Sequence, residues 1–317
     1  MEEDGGASRD VTEGVGQNDP GQRSRVDEFE HYRGLLFSIA YRMLGSVADA
    51  EDMVQETFLR WQQSSGDEIH SPRAFLVTIT SRLCIKHLQL ARVQREQYVG
   101  PWLPEPVVTG PIAINPPIRL EIDESLSMGF LVLLERLTPV ERAVFLLREV
   151  FDYEYGEVAR ITSLNEANCR QILSRARQRV HEGRPRFDAA PQQTEELLKR
   201  FIDAAHSGDM EGLLALLADD IVAYTDGGGK VAALPEPIYG AENFARQFLA
   251  AFKKFAPPNI VSRLTQINGQ PGVIGYSNGK VRNVLTVNIV NGKIQNLYIV
   301  RNPDKLGRLP SLTSFVC

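Results

Sequence analysis

Residues 156–180, GEVARITSLNEANCRQILSRARQRV, predict two helices joined by a turn. The apolar residues of the second helix recur with a 3.6-residue period, at Cys169, Ile172, Leu173, Ala176 and Val180. Its opposite face is polar and basic, with Arg170, Gln171, Ser174, Arg175, Arg177, Gln178 and Arg179. Asn165 stands at the expected N-cap, where its side-chain oxygen can accept an unpaired backbone N–H. Such a helix suits reading of the DNA major groove in a helix-turn-helix, although a solvated basic helix on an unrelated bundle would give the same pattern.

The composition is that of a folded protein with more than one domain. A chain of 317 residues with 43% hydrophobic residues can form two or three cores. The net charge of −5 does not favour wholesale coating of nucleic acid. It leaves DNA binding open, because a local basic face sets the field at a binding site.

The three cysteines, Cys84, Cys169 and Cys317, lie far apart and include no CxxC motif. This spacing predicts neither a zinc site nor a disulfide framework, and the sequence predicts no catalytic, cofactor-binding or metal-binding residues. Free thiols on apolar stripes favour a cytoplasmic location. The acidic, glycine-rich N-terminus does not resemble a signal sequence, and no run approaches the roughly 20 apolar residues of a membrane span.

Helices dominate the first part of the chain after a polar segment, residues 1–25, that we expect to be a disordered tail. An amphipathic helix from Val26 ends near Gly45, and Ser46 with Asp49 predicts the start of the next helix. Ser71-Pro72 predicts the start of a third. Its inward residues are expected to be Phe75, Leu76, Ile79, Leu83 and Leu88. Its outward residues are expected to be Arg73, Thr80, Arg82, Lys86, His87, Arg92 and Arg95.

Two motifs in this order carry a family resemblance. Residues 48–61, ADAEDMVQETFLRW, followed by residues 72–76, PRAFL, resemble region 2 of bacterial extracytoplasmic-function sigma factors, the group 4 members of the sigma-70 family. Residues 137–145, LTPVERAVF, and 170–177, RQILSRAR, resemble region 4. The turn departs from the family pattern, since Thr162-Ser163-Leu164 stands where a glycine is usual. The resemblance implies two all-helical modules, region 2 over residues 26–96 and region 4 over residues 124–187.

The resemblance implies that the chain binds core RNA polymerase and promoter DNA. The exposed face of the region 2 helix would contact the clamp helices of the largest subunit, through Asp49, Asp52, Gln55 and Glu56. The flap of the second-largest subunit would be a further contact. A merely solvated helix face is the alternative for these polar residues.

The same resemblance assigns the DNA-binding residues. The −10 element would be bound by Ser64, Ser65, Gly66, Asp67, Arg82, Lys86 and Arg92. The −35 element would be bound by Asn165, Asn168, Arg170, Gln171, Ser174, Arg175 and Arg177. Of the second set, the arginines at 175 and 177 are better suited to phosphates and the residues of the first turns to bases.

Residues 97–123 are rich in proline, which predicts a semi-extended linker. Its tryptophan is expected to anchor the linker on a neighbouring domain. Residues 192–301 then show helices followed by alternating strands, with hairpin signals at Asn278-Gly279 and Asn291-Gly292. This order predicts an α+β cone that resembles the SnoaL-like branch of the nuclear-transport-factor-2-like (NTF2-like) fold, followed by a tail, residues 302–317.

Three segments resemble the signature motifs of sigma factors with such a fused domain. They are Trp102-Leu103-Pro104-Glu105-Pro106, Asp226-Gly227-Gly228-Gly229-Lys230 and Asn302-Pro303-Asp304-Lys305-Leu306. We expect them to join the C-terminal domain to the sigma modules and to regulate transcription in cis. Two alternatives remain open from the sequence. One is a ligand-responsive helix-turn-helix regulator. The other is a SnoaL-like isomerase or cyclase, whose candidate residues would be Asp220, Asp226, Tyr224, Tyr239, Tyr276 and His206.

Overall fold

The computed structural model describes residues 20–64, 69–95, 98–110, 124–181, 190–257 and 259–315. Most of the expected N-terminal tail, the loop residues Ser65, Gly66 and Asp67, the linker from residue 111 to 123 and Cys317 lie outside the described residues. The side chain of Arg92 lies outside them as well.

The described part of the first module consists of three helices, α1 (Pro20–Leu44), α2 (Val47–Gln63) and α3 (Pro72–Arg95). Helix α1 begins at Pro20 and not at Val26, so the helix reaches into the segment expected to be a tail. Proline suits a first helical turn, and Arg25 fixes this part of α1 by donating to the Ser64 carbonyl at 2.7 Å.

One side chain of α3 is buried against expectation. Thr80 was expected outward but is fully buried, with its hydroxyl 3.0 Å from the hydroxyl of Thr57 on α2. The two hydroxyls also bond to carbonyls of their own helices, Met53 O and Leu76 O. A polar residue can therefore sit between packed helices because its hydroxyl is satisfied there.

Over residues 124–181, the second module contains four α-helices, α4 (Met128–Leu134), α5 (Pro139–Glu149), α6 (Tyr155–Thr162) and α7 (Glu166–His181). The predicted start of α5 is confirmed, since Thr138 and Glu141 form a reciprocal capping box before Pro139. Between α6 and α7, Ser163 adopts the left-handed conformation with φ of 59°. The family pattern has a glycine near this position, and the serine here takes a turn geometry that glycine would adopt without strain.

Within residues 190–257 and 259–315, the C-terminal domain combines three α-helices with one sheet. The helices are α8 (Pro191–Ser207), α9 (Met210–Leu216) and α10 (Ala241–Phe255). The strands are β1 (Leu217–Asp226), β2 (Ile238–Tyr239), β3 (Val261–Ile267), β4 (Gln270–Ser277), β5 (Lys280–Val290) and β6 (Lys293–Val300), in the sheet order β2-β1-β6-β5-β4-β3. Strands β3 to β6 form the predicted antiparallel meander, and both predicted hairpin turns are confirmed by positive φ values at Asn278 and Asn291. Strand β1 pairs with β6 in parallel, and the two-residue β2 was not predicted.

The two faces of this sheet have different partners. On one face, Val273 and Leu297 pack with Phe201 and Phe244 of the domain's own helices. On the other face, Ile274 and Tyr298 pack with Leu103 of the linker and Met128 of α4. The second face therefore joins the C-terminal domain to the rest of the chain, and this α+β architecture completes the predicted fold class.

Candidate nucleic-acid interface and interdomain latch

Helix α7 has the two faces that its sequence predicts. Cys169, Leu173, Ala176 and Val180 are buried, and Ile172 is partly buried against the same core. Asn165 caps the helix by accepting the Asn168 N–H at 2.8 Å. The predicted −35 residues are all exposed, namely Asn165, Asn168, Arg170, Gln171, Ser174, Arg175 and Arg177. The helix thus presents an uncovered polar face of the kind that reads base edges.

The arginines of this face form surface ion pairs. Arg170 lies 2.8 Å from Glu166, Arg177 lies 2.7 Å from Glu149, and each of these arginine side chains is more than half exposed. Such exposed pairs contribute only about 0–1 kcal/mol. Phosphates could therefore replace these carboxylates at little cost. Arg175 forms no ion pair with any described residue, so its charge is directly available.

A predicted −10 residue, Arg82, is exposed and is bonded to the helix-turn-helix. The Arg82 guanidinium donates to the carbonyls of Arg160 at 2.8 Å and Ile161 at 2.9 Å, and to the Ser163 hydroxyl at 3.0 Å. These acceptors are at the C-terminal end of α6 and in the turn. A cation is favoured there because the last carbonyls of a helix lack partners and carry partial negative charge.

A second arginine makes the reciprocal contact. Arg142 of α5 is buried and donates to the Met43 carbonyl, at the C-terminal end of α1, at 2.6 Å. Its charge is balanced by Glu135 at 2.7 Å. Each helical module therefore supplies an arginine to a helix end of the other. One continuous hydrophobic core, from Phe29 to Val180, includes residues of both modules.

The other candidate residues of the first module have mixed surroundings. On α2, Asp52 and Gln55 are exposed, Glu56 pairs with Arg60 at 2.9 Å, and Asp49 lies 3.7 Å from His87. Lys86 is exposed on α3. Ser64, in contrast, ends α2 with its hydroxyl bonded to the Trp61 carbonyl and to Arg25. A cavity of about 520 Å³ beside Ser64 and Phe75 is also lined by Arg160, which belongs to the second module.

The three motif segments meet at one buried carboxylate, that of Asp226. Its Oδ1 accepts the Tyr98 hydroxyl at 2.6 Å and the Gly228 N–H at 3.0 Å. Its Oδ2 accepts the Leu103 N–H at 3.0 Å and the Lys305 ammonium at 2.7 Å. We call the three segments, Trp102–Pro106, Asp226–Lys230 and Asn302–Leu306, the interdomain latch. Asp226 satisfies donors from all three, so its full burial is compensated.

Lys305 supplies the cation of this latch. Its ammonium also donates to the Leu103 carbonyl at 2.5 Å and lies 4.2 Å from the centre of the Trp102 ring. The Lys305 side chain is only 12% exposed, so this ion pair is shielded from water. A second pair, Lys230 with Asp304, is more than half exposed on both sides. The latch therefore has a buried ion pair and an exposed one.

The linker end of the latch is fixed to the first module. Trp102 packs over Gly45, where an added Cβ would come within 2.6 Å of its ring. The Glu105 N–H donates to the Gly45 carbonyl at 2.8 Å, and the Glu105 carboxylate accepts the Val47 N–H at 2.8 Å. Desolvation raises the pKa of this carboxyl, and the Val47 N–H opposes the shift. These bonds join the linker to the junction of α1 and α2.

Several residues of this interface were not predicted from the sequence. Tyr41 donates to the Glu105 carbonyl at 2.6 Å and accepts from Asn268 at 2.7 Å. Asn268 is buried in the β3–β4 turn with φ of 52°. The dipeptide Asn268-Gly269 is itself a hairpin signal, so its turn could have been recognised. Its contact with Tyr41, 227 residues away in sequence, has no sequence signal.

The residues considered for the isomerase alternative are dispersed. Asp226 belongs to the latch, and the Tyr276 hydroxyl donates to the Pro310 carbonyl at 2.9 Å. His206 lines a separate cavity beneath α10. Within the described ranges, the structure contains no cluster of His, Cys, Asp and Glu suited to a metal ion. No helix in these ranges is long and apolar enough to span a bilayer.

Comparisons with known proteins agree with this architecture. Residues 29–93 match the family "Sigma-70 region 2", and residues 127–180 match "Sigma-70, region 4". The chain is 36% identical over 295 residues to the ECF RNA polymerase sigma factor SigJ of Mycobacterium tuberculosis, covering 90% of this chain and 94% of the relative. It is 31% identical over 280 residues to the probable ECF RNA polymerase sigma factor SigI of the same species, covering 88% and 93%. The crystal structure of M. tuberculosis SigJ matches with a TM-score of 0.74 and 34% identity, covering 90% of this chain and 99% of that one.

Proposed function

Since this chain belongs to the extracytoplasmic-function (ECF) family of RNA polymerase sigma factors, we propose that its C-terminal domain restrains a promoter-directing sigma factor in cis. The first module, region 2, binds the −10 element, and the second module, region 4, binds the −35 element. The α2 residues Asp49, Asp52, Gln55 and Glu56 contact the clamp helices of the largest polymerase subunit. Region 4 contacts the flap of the second subunit, and the protein acts in the cytoplasm.

One observation carries the restraint, namely that regions 2 and 4 are in direct contact. By their numbering, the −10 and −35 elements are about 25 base pairs apart, or about 85 Å along B-DNA at about 3.4 Å per base pair. In the structure, Arg82 of region 2 lies 3.0 Å from Ser163 in the turn of region 4. Helix α3, which carries Arg82, is about 36 Å long at 1.5 Å per residue. The two modules must therefore separate before they can bind both elements of one promoter.

The contact also occupies surfaces that DNA would need. Arg82 is assigned to the strand of the −10 element, but its guanidinium is bonded to the end of α6. Arg160 lines the cavity beside the −10 loop residue Ser64. Region 4 thus competes with the −10 DNA for region 2. Arg82 would exchange carbonyl partners for phosphates when the modules separate.

The interdomain latch holds this closed arrangement through the linker. Glu105 bonds the linker to region 2, while Leu103 bonds it to Asp226 and Lys305 of the C-terminal domain. Met128, at the start of region 4, packs on the same sheet face as Leu103. The linker cannot extend between separated modules until these bonds break. Asp226 serves this role, and we propose no enzymatic activity for the domain.

Run-off transcription with core polymerase tests the proposal. We compare the full chain with a chain that ends at Arg301 and therefore lacks Lys305 and the buried Leu306. We expect more transcript from the shortened chain, because the latch has lost Lys305, the cation of its buried ion pair. A chain ending at Phe315 retains every described latch contact and is the matched control. Equal transcript from all three chains would contradict the restraint.

A further inference from the structure

The C-terminal domain contains a cavity that the sigma function does not use. It has a volume of about 900 Å³ and lies between the sheet and helices α8 and α10. Its walls are largely apolar and include Phe201, Phe244, Phe248 and Phe252. Neighbouring rings of this series lie 5.2 Å and 6.0 Å apart along α10, which makes a continuous aromatic wall. The apolar face of α10 therefore borders an open space of the size that small-molecule sites have.

The charged residues around this cavity have one sign. The basic residues in its lining are Lys254, Lys280, Arg282 and Arg301, and His206 also lines it. None of the described lining residues is Asp or Glu, although acidic residues outnumber basic ones by 40 to 35 in the whole chain. An apolar space with a positive rim favours a ligand with an apolar body and a negative group.

Arg301 marks the position of that negative group. It forms no ion pair with any described carboxylate, and its guanidinium donates to the Ala232 carbonyl at 2.5 Å. Desolvation lowers the pKa of Arg301. Arg301 is partly buried, and charged groups that lose part of their hydration are normally paired. A ligand carboxylate could accept from this guanidinium in the two-bond geometry that arginine prefers.

We propose that the cavity binds a long-chain monocarboxylate. Its hydrocarbon chain would lie along the aromatic wall of α10, and its carboxylate would pair with Arg301. A neutral hydrocarbon would leave the guanidinium unpaired, and a short carboxylate would leave the apolar wall exposed to water.

The site is joined to the interdomain latch by the backbone. The Arg301 N–H donates to the Asp226 carbonyl at 2.7 Å, and Pro303 and Leu306 of the latch also line the cavity. A carboxylate that draws the Arg301 guanidinium away from Ala232 would therefore disturb the segment that presents Asp226. This coupling rests on the proposed function, whereas binding itself does not.

Isothermal titration calorimetry of the full chain tests the binding, with sodium dodecanoate as the probe. Dodecan-1-ol and sodium acetate serve as ligands that lack the charge or the hydrocarbon chain. We expect one dodecanoate per chain, bound about ten- to a hundredfold more tightly than dodecan-1-ol, since a hydrogen bond to a charged group is worth that factor. The variant R301Q should lose this preference.

Two tryptophan variants locate the site without touching the latch. A251W fills the cavity from α10, where Ala251 is exposed and lines it, and should weaken both ligands. K253W places tryptophan on the same helix away from the cavity and should bind like the unchanged chain. No saturable dodecanoate binding, an unchanged preference in R301Q or unchanged binding in A251W would overturn the proposal. The proposal would also be overturned if a second copy of the chain occupied the cavity and dodecanoate did not displace it.

Run-off transcription with and without dodecanoate tests the coupling. We expect dodecanoate to increase transcript from the unchanged chain and to have less effect on R301Q. Binding without any change in transcript would refute the coupling alone. Failure of the proposed restraint would show separately, as equal transcript from the full chain and the chain ending at Arg301 in the absence of dodecanoate.

Discussion

Replacing Asp226 by asparagine removes the central acceptor of the interdomain latch. The carboxylate accepts four hydrogen bonds. In asparagine an NH2 group replaces one of the two oxygens, so it would point its own N–H groups at the donors that this oxygen accepted. Asp226 is fully buried and Lys305 is 12% exposed, so solvent screens their pair little. Breaking such a buried pair costs about 3–5 kcal/mol, which shifts the equilibrium between the closed and open arrangements by roughly two to four orders of magnitude.

The same latch offers a matched control in Asp304. Its pair with Lys230 is 60% and 55% exposed, so D304N should change the equilibrium by at most about 1 kcal/mol. The assays are amide hydrogen exchange over residues 98–108 of the free protein and run-off transcription with core polymerase. D226N should exchange faster there and yield more transcript, whereas D304N should resemble the unchanged chain. The double variant D226N/K305M should recover part of the protection, because it leaves no unpaired buried charge.

Equal behaviour of D226N and D304N would refute the reasoning, because it would mean that burial of the ion pair does not decide the strength of the latch. Faster exchange in D226N without more transcript would show that the latch opens but does not restrain transcription.

Three further predictions concern the linker, the pH dependence and the DNA-binding face. G45A and G208A both place a Cβ at positive φ, 67° and 72°, and should each lower the free energy of unfolding by about 1–2 kcal/mol. Only G45A should also increase transcript, because a Cβ at residue 45 meets the Trp102 ring, whereas a Cβ at residue 208 points into open space. Burial raises the pKa of the Glu105 carboxyl in the latched form, so this carboxyl takes up a proton more readily in the latched form than in the unfolded chain. The contribution of Glu105 to the free energy of unfolding should therefore be greatest below the ordinary pKa of 4.5 and be lost as pH rises through the raised pKa. Urea unfolding across that pH range should show this pH-dependent contribution in the unchanged chain but not in E105Q. A difference in the free energy of unfolding between the two chains that stays constant with pH would contradict the prediction. R175A should weaken binding to all −35 sequences and reduce the slope of log affinity against log salt by about 1, whereas Q171A should change the preferred sequence. Titration of −35 DNA variants with holoenzyme at several salt concentrations measures both effects.

The sequence was most informative where structure is local. The period of apolar residues in α7 predicted which of its side chains are buried, and Asn165 was recognised as its cap. The dipeptides at Asn278 and Asn291 predicted both hairpin turns, because few residues other than glycine and asparagine tolerate positive φ there. In each case the interaction that decides the conformation is within a few residues of the pattern that predicts it.

Prediction failed where distant parts of the chain meet. The assignment of Arg82 to DNA, made from the family resemblance, stays a prediction. Its contact with region 4 was not foreseen, because its acceptors are 78 to 81 residues away in sequence. Thr80 was expected outward because a threonine on a basic helix gives no sign that another threonine faces it. The latch segments were recognised only by resemblance. Their meeting at Asp226 depends on Leu103, 123 residues away, which no local period could indicate.

The separation of regions 2 and 4 can be measured by single-molecule fluorescence energy transfer. Dyes are attached to Q62C on α2 and Q178C on α7, both exposed, in a chain with C317S; Cys84 and Cys169 are buried and should not react. We predict high transfer in the free protein, low transfer in the transcribing complex with core polymerase and promoter DNA, and a low-transfer population in free D226N. High transfer that persists in the transcribing complex would contradict the claim that the closed arrangement must open for function.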